Sequence, residues 1–145
     1  MNLKIKDQIL TIGQIRKLQK LGFDVNNYAS LCWVKSFDDS ENTNLNRILN
    51  KEYVEYMEIS DFIPTMTIYD IIDILPYKIK FPPDGYYLLE FDKSEVKYIK
   101  KLYYLYSCDF MGDPEYDIEY FKGEKLIDKL FNALVWCIEN KYIKT

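Results

Sequence analysis

Four carboxylates that alternate along the chain are the first residues whose types and spacing suit chemistry. They are Asp113, Glu115, Asp117 and Glu119. On a strand all four would point to one face, where they could hold Ca²⁺ or Mg²⁺ or imitate a row of phosphates. The spacing is not that of an EF-hand loop, because the glycine and the final glutamate are misplaced. We favour the alternative of an edge strand that is protected by its charge.

A second run combines acidic and aromatic side chains. Glu52, Glu55 and Glu58 recur every three residues, with Tyr53 and Tyr56 between them. Carboxylates beside aromatic rings can imitate the charge and the stacking of a nucleic acid, so the run indicates a surface for a basic partner. The alternative is the solvated face of a strand or helix.

A third set resembles the motif of the PD-(D/E)xK nucleases. Asp84 follows a proline, and Glu95 and Lys97 stand two positions apart further along the chain. In such enzymes two carboxylates hold Mg²⁺ and the lysine helps to orient the attacking water. However, Asp84 and Gly85 also form an ordinary turn, and a nuclease needs a basic approach to its substrate. We therefore keep a Mg²⁺-dependent nuclease as an alternative function.

The composition argues against most other catalytic chemistries. The chain has 145 residues, a formal net charge of −4 and no histidine, which is the commonest general base and ligand of catalytic zinc. Cys32, Cys108 and Cys137 form no C-x-x-C pair, so we expect neither a disulfide framework nor a zinc knuckle. We expect no metal, no cofactor and no enzymatic activity. The acidic balance also argues against direct binding of nucleic acids.

The same sequence predicts a cytoplasmic protein. No stretch approaches the ~18 apolar residues that a membrane span needs. The stretch from Met1 to Lys6 alternates polar and apolar residues and lacks the apolar segment of a signal peptide.

Hydrophobic periodicity predicts one α+β domain over residues 1–145. A capping-box pattern at Thr11 and a helix-ending Gly22 delimit a helix at about 12–21. A short helix follows Thr67, and the strongest pattern predicts a helix at about 124–139 that ends at Asn140. Strands are predicted over Ala29–Phe37, Tyr53–Ile59, Tyr86–Phe91 and Tyr116–Phe121, while residues 95–106 fit either a helix or, as their aromatic content favours, strands. We expect an antiparallel sheet of four to six strands packed against the C-terminal helix, with two short helices.

Three parts of the chain resemble a group of uncharacterised proteins from phages, prophages and mobile elements of gut Bacteroidetes. Leu134–Ile143 resembles the group's "WCIENGYI" ending, with Lys141 where the group usually has glycine. The stretch from Leu10 to Gly22, followed by Ser30–Val34, and the stretch from Ile63 to Pro76 resemble the same group. The resemblance implies a phage or mobile-element accessory protein. Small acidic proteins of this kind often block host defences by binding.

These observations predict a small acidic, non-enzymatic binding protein that inhibits a bacterial defence system through protein–protein contact. An anti-CRISPR-like role is one specific form of that function. We expect a protein partner, for instance a basic nucleic-acid-binding protein of the host, and no association with membranes. Besides the nuclease, a structural homodimer is the remaining alternative.

Overall fold

The computed structural model describes residues 5–35, 45–81, 85–92, 101–108 and 118–145. Within it the chain forms two compact units, residues 1–72 with residue 145 and residues 73–144. Helices and antiparallel sheets occur together, so the predicted α+β class is confirmed. The strands divide between a sheet of three and a sheet of four, whereas we expected a single sheet. That the whole chain is one domain stays a prediction.

The N-terminal unit is built on the three-stranded sheet. Its strands are β1 (Leu31–Lys35), β2 (Leu45–Asn50) and β3 (Phe62–Thr65), in the order β2-β1-β3 and antiparallel throughout. Its helices are α1 (Ile12–Lys20) and α2 (Lys51–Tyr56), and α3 (Ile68–Ile74) crosses the boundary between the units. Two 3-10 turns cover Ile5–Gln8 and Val25–Asn27.

The two faces of this sheet bury different residues because successive side chains of a strand alternate. On one face, Cys32 and Val34 pack with Val54 of α2. On the other face, the Trp33 indole Nε1 donates a hydrogen bond of 3.0 Å to the carbonyl of Leu10. Cys32 is fully buried and Trp33 is 9% exposed, so both side chains lie in the core.

Helix α1 begins and ends as predicted. The Thr11 hydroxyl accepts from the Gln14 amide at 3.2 Å, and the Gln14 side chain accepts from the Thr11 amide at 2.9 Å. Gly22 has a φ of 82°, and the Phe23 amide donates to the Leu18 carbonyl at 3.0 Å. This is the Schellman motif, in which a left-handed residue lets the chain close the last turn.

The C-terminal unit is a four-stranded antiparallel sheet with one long helix. Its strands are β4 (Lys78–Phe81), β5 (Gly85–Asp92), β6 (Lys101–Cys108) and β7 (Ile118–Phe121), in the order β4-β5-β6-β7, and its helix is α4 (Leu126–Glu139). Strands β5, β6 and β7 were predicted with slightly different bounds, and α4 confirms the C-terminal helix. Residues 95–100, which we also assigned to strands, lie outside the described residues.

An aromatic cluster joins α4 to one face of this sheet. The Trp136 ring lies 5.2 Å from Tyr104 of β6, 5.6 Å from Tyr87 of β5 and 5.7 Å from Phe121 of β7, measured between ring centroids. The Tyr104 hydroxyl donates to the Pro76 carbonyl at 2.7 Å and accepts from the Cys137 thiol at 3.6 Å. Its polar end is thus satisfied inside the core.

Two predictions of local structure are wrong. Tyr53–Ile59 was predicted as a strand, but helix α2 and its end occupy this stretch, and strand β2 precedes it. Asn140 was predicted as the left-handed residue after α4, but its φ is −90° and Lys141 has a φ of 61°. The Tyr142 amide donates to the Cys137 carbonyl at 2.8 Å, so the Schellman motif lies one residue further along than predicted.

Strands β2, β3 and β4 were not predicted. Pro64 lies within β3, which is an edge strand of its sheet, and edge strands tolerate a proline because one side of their backbone needs no partner. In β4, Lys78 and Lys80 alternate with Ile79 and Phe81, which is a strand pattern that we overlooked beside the neighbouring prolines.

Candidate functional site

The candidate site is an acidic–aromatic surface formed by Glu52, Tyr53, Glu55, Tyr56 and Glu58. All five residues lie on α2 or in the turn that ends it. The helix begins here because the side chain of Asn50 accepts a hydrogen bond of 2.9 Å from the Glu52 amide. Glu52 in the first turn also interacts favourably with the positive end of the helix dipole.

Val54 is the one side chain of α2 that is buried against the sheet. Val54 is fully buried against Cys32 and Val34, with Leu49 and Ile59 packed around them. Since successive residues of a helix are 100° apart, a helix that buries Val54 directs its other side chains sideways or outward. The residues of the acidic–aromatic surface are accordingly exposed, Tyr53 by 45% and Tyr56 by 83%.

The far end of α2 is fixed by a Schellman motif. The Ile59 amide donates to the Val54 carbonyl at 3.1 Å, and the Glu58 amide donates to the Glu55 carbonyl at 3.2 Å. Glu58 is the left-handed residue, with a φ of 52°, in a position that favours glycine. A side chain in this conformation costs about 1–2 kcal/mol of backbone strain. The motif places the third carboxylate just beyond the helix.

Basic side chains do not neutralise this surface from within. The stretch from Glu52 to Glu58 contains three glutamates and no lysine or arginine. Lys51 precedes it, and its ammonium group donates a hydrogen bond to the Asn26 carbonyl. The surface therefore presents a local excess of negative charge.

The charges of Lys51 and Glu55 also affect the pKa of the Cys32 thiol, which packs under α2. Burial raises the pKa of the Cys32 thiol; the Lys51 ammonium opposes this rise and the Glu55 carboxylate adds to it. Cys32 thus remains a protonated core residue rather than a nucleophile.

Two apolar residues that we did not single out extend the surface. Met57, the cap residue of α2, is 51% exposed. Phe62 is 37% exposed and pairs with Val34, so it lies on the face of the sheet that α2 covers. The signal in the sequence was a pair of apolar residues, Met57 and Phe62, on either side of the turn that follows α2. We assigned Met57 to the predicted strand Tyr53–Ile59 and made no assignment for Phe62.

The first acidic run is only partly described. Glu119 is an exposed residue of β7 and belongs to the C-terminal unit, whereas Asp113, Glu115 and Asp117 lie outside the described residues. The residues proposed for the alternative nuclease, Asp84, Glu95 and Lys97, also lie outside them. Whether either group of residues converges stays a prediction.

Two structural tests concern only the described part of the chain. Its cysteine, aspartate and glutamate residues form no group of three or more that could hold a metal ion. Its helices include none with the length and apolar character that crossing a membrane requires.

Comparisons with models of protein families, with curated proteins and with solved structures give no match to this chain.

Proposed function

We propose that this chain is a non-enzymatic protein that binds a basic protein partner through the acidic–aromatic surface. The observation that carries this proposal is that two carboxylates and two exposed tyrosine rings lie on one short helix, with a third carboxylate in the turn that ends it. The fold itself requires only Val54 of α2 in the core. Core packing therefore does not explain why acidic and aromatic residues occupy the exposed side of α2.

The two residue types would contribute differently to binding. Carboxylates accelerate and orient the approach of a positively charged surface, and this effect weakens as salt rises. Tyrosine rings such as Tyr53 and Tyr56 bury a large area at a small cost in side-chain entropy, which makes them typical anchors of interfaces. Because α2 is held by Asn50 at one end and by the Glu58 turn at the other, little ordering is needed on binding.

A basic nucleic-acid-binding protein of a bacterial host is the partner class that fits this chemistry. Such a protein has a surface that pairs with phosphates and stacks on bases, and carboxylates beside aromatic rings compete for both features. The resemblance to proteins of phages and mobile elements adds the biological setting. We propose that the binding inhibits a bacterial defence system, with an anti-CRISPR-like role as one form.

The proposal is tested by capturing partners from a bacterial host lysate with the tagged protein and with the variant E52K/E55K/E58K. We expect the wild-type chain to retain a basic nucleic-acid-binding protein, and the variant to lose it. The variant D24K/D73K/E124K is the matched control, since it changes the net charge equally at exposed residues that do not belong to the acidic–aromatic surface. It should retain the partner.

A functional assay complements the capture. Phage infection of a strain whose defence system normally blocks it should be restored by the wild-type chain and by the control variant, but not by E52K/E55K/E58K. Equal capture and equal protection by both charge-reversed variants would show that the acidic–aromatic surface is not the binding site.

A further inference from the structure

Helix α1 presents basic side chains to solvent. Residues 8–23 contain three basic side chains and no carboxylate, although the whole chain has a formal net charge of −4. Arg16 and Lys20 stand four positions apart in the helix, so they lie on one face and about 6 Å apart along its axis. Both are exposed, and neither forms an ion pair with another of the described residues. We call Arg16, Lys20 and Gly13, which precedes Arg16 by one turn, the basic face.

Gly13 leaves open space on the basic face. It is exposed, and a Cβ placed on it would have no heavy atom nearer than the Thr11 hydroxyl at 3.9 Å. Because Gly13 precedes Arg16 by three positions, the missing side chain clears the space beside the guanidinium group. A planar aromatic group can therefore lie flat against the Arg16 side chain.

The acidic–aromatic surface lies on the other side of the same sheet. Helix α2 covers the face that carries Cys32 and Val34. The Leu10 carbonyl accepts hydrogen bonds from the Trp33 indole at 3.0 Å and from the Thr65 hydroxyl at 2.8 Å, and these two side chains belong to the opposite face. Helix α1 begins two residues after Leu10. The three-stranded sheet therefore separates the basic face from the acidic–aromatic surface within one chain.

We propose that the basic face of one copy of this chain binds the acidic–aromatic surface of a second copy. Glu52 and Glu55 stand three positions apart on α2, which places them about 4.5 Å apart along its axis. This spacing is close to that of Arg16 and Lys20, so two ion pairs can form side by side. Tyr56 shares the face of the two glutamates and would lie against the Arg16 guanidinium, where cation–π attraction adds to the ion pairing.

Charge complementarity favours a second copy as the occupant. The basic face fits an anionic surface with a planar group, and the chain itself displays a surface that is exposed, acidic and aromatic. One copy cannot bring its own two surfaces together, because the sheet lies between them. The contact joins two different surfaces and is therefore heterologous, so further copies add in the same way and form an open chain or a closed ring.

Self-association would also regulate the proposed function, and this consequence rests on that function. A copy that occupies the acidic–aromatic surface excludes a basic partner protein from it, so the two binding events compete. Partner capture per chain should therefore fall as the chain concentration rises. The variant R16Q/K20Q keeps its acidic–aromatic surface free of a second copy and should capture the partner at high chain concentration better than the wild type.

Sedimentation equilibrium of the purified full chain tests the proposal without any partner. At about 0.05 M salt we expect the average molar mass to rise reversibly above that of a single chain as the concentration approaches about 0.5 mM. Raising the salt to about 0.5 M should weaken the association at least about tenfold, because it shortens the range of the electrostatic attraction. A chain that stays monomeric up to about 0.5 mM at low salt would overturn the proposal.

Two neutralised variants identify the surfaces in contact. R16Q/K20Q and E52Q/E55Q/E58Q, each measured alone, should associate at least about tenfold more weakly than the wild type. Their equimolar mixture should form a dimer and stop there, since the intact α1 of the second variant meets the intact α2 of the first. Both variants keep a net negative charge, so attraction between oppositely charged proteins does not explain the recovery. A mixture that stays monomeric would contradict the proposed contact.

Matched controls remove the same charges at exposed residues outside both surfaces. K122Q/K144Q is the control for R16Q/K20Q, and D73N/E124Q/E139Q is the control for E52Q/E55Q/E58Q. Both controls should associate as the wild type does. Equal weakening in the controls would mean that net charge, rather than the two surfaces, governs the association.

A nucleic acid is the other occupant that a basic face can take. Its binding is measured by the fluorescence anisotropy of a labelled single strand of about 20 thymidylates. A wild-type chain that stays monomeric, binds this strand and loses it in R16Q/K20Q would assign the basic face to nucleic acid, and the proposal would be wrong. Self-association without capture of a host partner would refute the proposed function alone, and capture by a chain that does not self-associate would refute this proposal alone.

Discussion

Helices α2 and α4 end in the same way but bury different numbers of side chains in the core. Each ends in a Schellman motif with a charged residue in the left-handed position, Glu58 after α2 and Lys141 after α4. Helix α4 buries eight of its side chains, whereas α2 buries only Val54. Packing therefore dictates most of the sequence of α4 and little of the sequence of α2. Changes in α4 should affect folding, and changes on the outer side of α2 should affect binding.

The largest expected effect is the loss of core packing in α4. Leu134 is fully buried, so Leu134→Ala should lower the free energy of unfolding by about 2–5 kcal/mol. Urea denaturation measures the change. In α2, Tyr56→Ala removes a side chain that is 83% exposed and should stay within about 0.5 kcal/mol of the wild type. Comparable losses in the two variants would contradict the division between core and surface.

The buried thiol of α4 should give a large effect at alkaline pH. Burial raises the pKa of the Cys137 thiol from 9.0 to about 11, and a hydrogen bond from this thiol to Tyr104 lies in the same cluster. Between these values the unfolded chain loses the proton while the folded chain keeps it, so stability falls as pH rises above about 9. The loss attributable to this group is about 2–3 kcal/mol when complete.

The pH dependence of stability can also be compared for the two buried thiols, Cys137 of α4 and Cys32 of β1, which packs under α2. Urea denaturation across the alkaline range should show a shallower loss for Cys137→Ala than for the wild type. Cys32→Ala, which removes the thiol under α2, should reduce the pH dependence of the unfolding free energy by a smaller amount. A steeper dependence in Cys137→Ala than in Cys32→Ala would overturn this assignment.

Val54→Ala tests how firmly α2 is attached. Val54 is the only buried residue of the helix, and its truncation should cost about 1–3 kcal/mol. Hydrogen exchange should show that amides of α2 lose protection while amides of α1 keep theirs. A uniform loss in both helices would mean that α2 is not a locally attached element.

The helix ends should give smaller effects of opposite sign. Gly22 has a φ of 82° and open space where a Cβ would lie, so Gly22→Ala should cost only the backbone strain of about 1–2 kcal/mol. Glu58→Gly and Lys141→Gly relieve the same strain and should each stabilise the chain by up to about 1 kcal/mol, the larger backbone entropy of unfolded glycine offsetting part of the gain. Thermal denaturation of the three variants provides the comparison.

The parts of the fold that were predictable are those that leave a periodic apolar pattern. Helix α4 repeats its apolar residues over fourteen positions, and α1 has readable signals at both ends. Helix α2 has six residues and a single buried one, which is too short for a period of 3.6 to emerge. The β-propensity of its tyrosines then favoured a strand.

For the candidate site, the predicted local geometry was wrong. A strand would have divided its residues between two faces, with Tyr53 and Glu55 on one and Glu52, Tyr56 and Glu58 on the other. In the structure, a helix and the turn that ends it carry all five residues, and all five are exposed while Val54 is buried.

The most direct test of the account is the affinity of E52K/E55K/E58K for the partner that the wild-type chain captures, measured by calorimetry together with the free energy of unfolding. We expect the affinity to fall at least about a hundredfold. We also expect the unfolding free energy to change by less than about 0.5 kcal/mol per site. An unchanged affinity in a fully folded variant would contradict the claim that this helix is the binding surface.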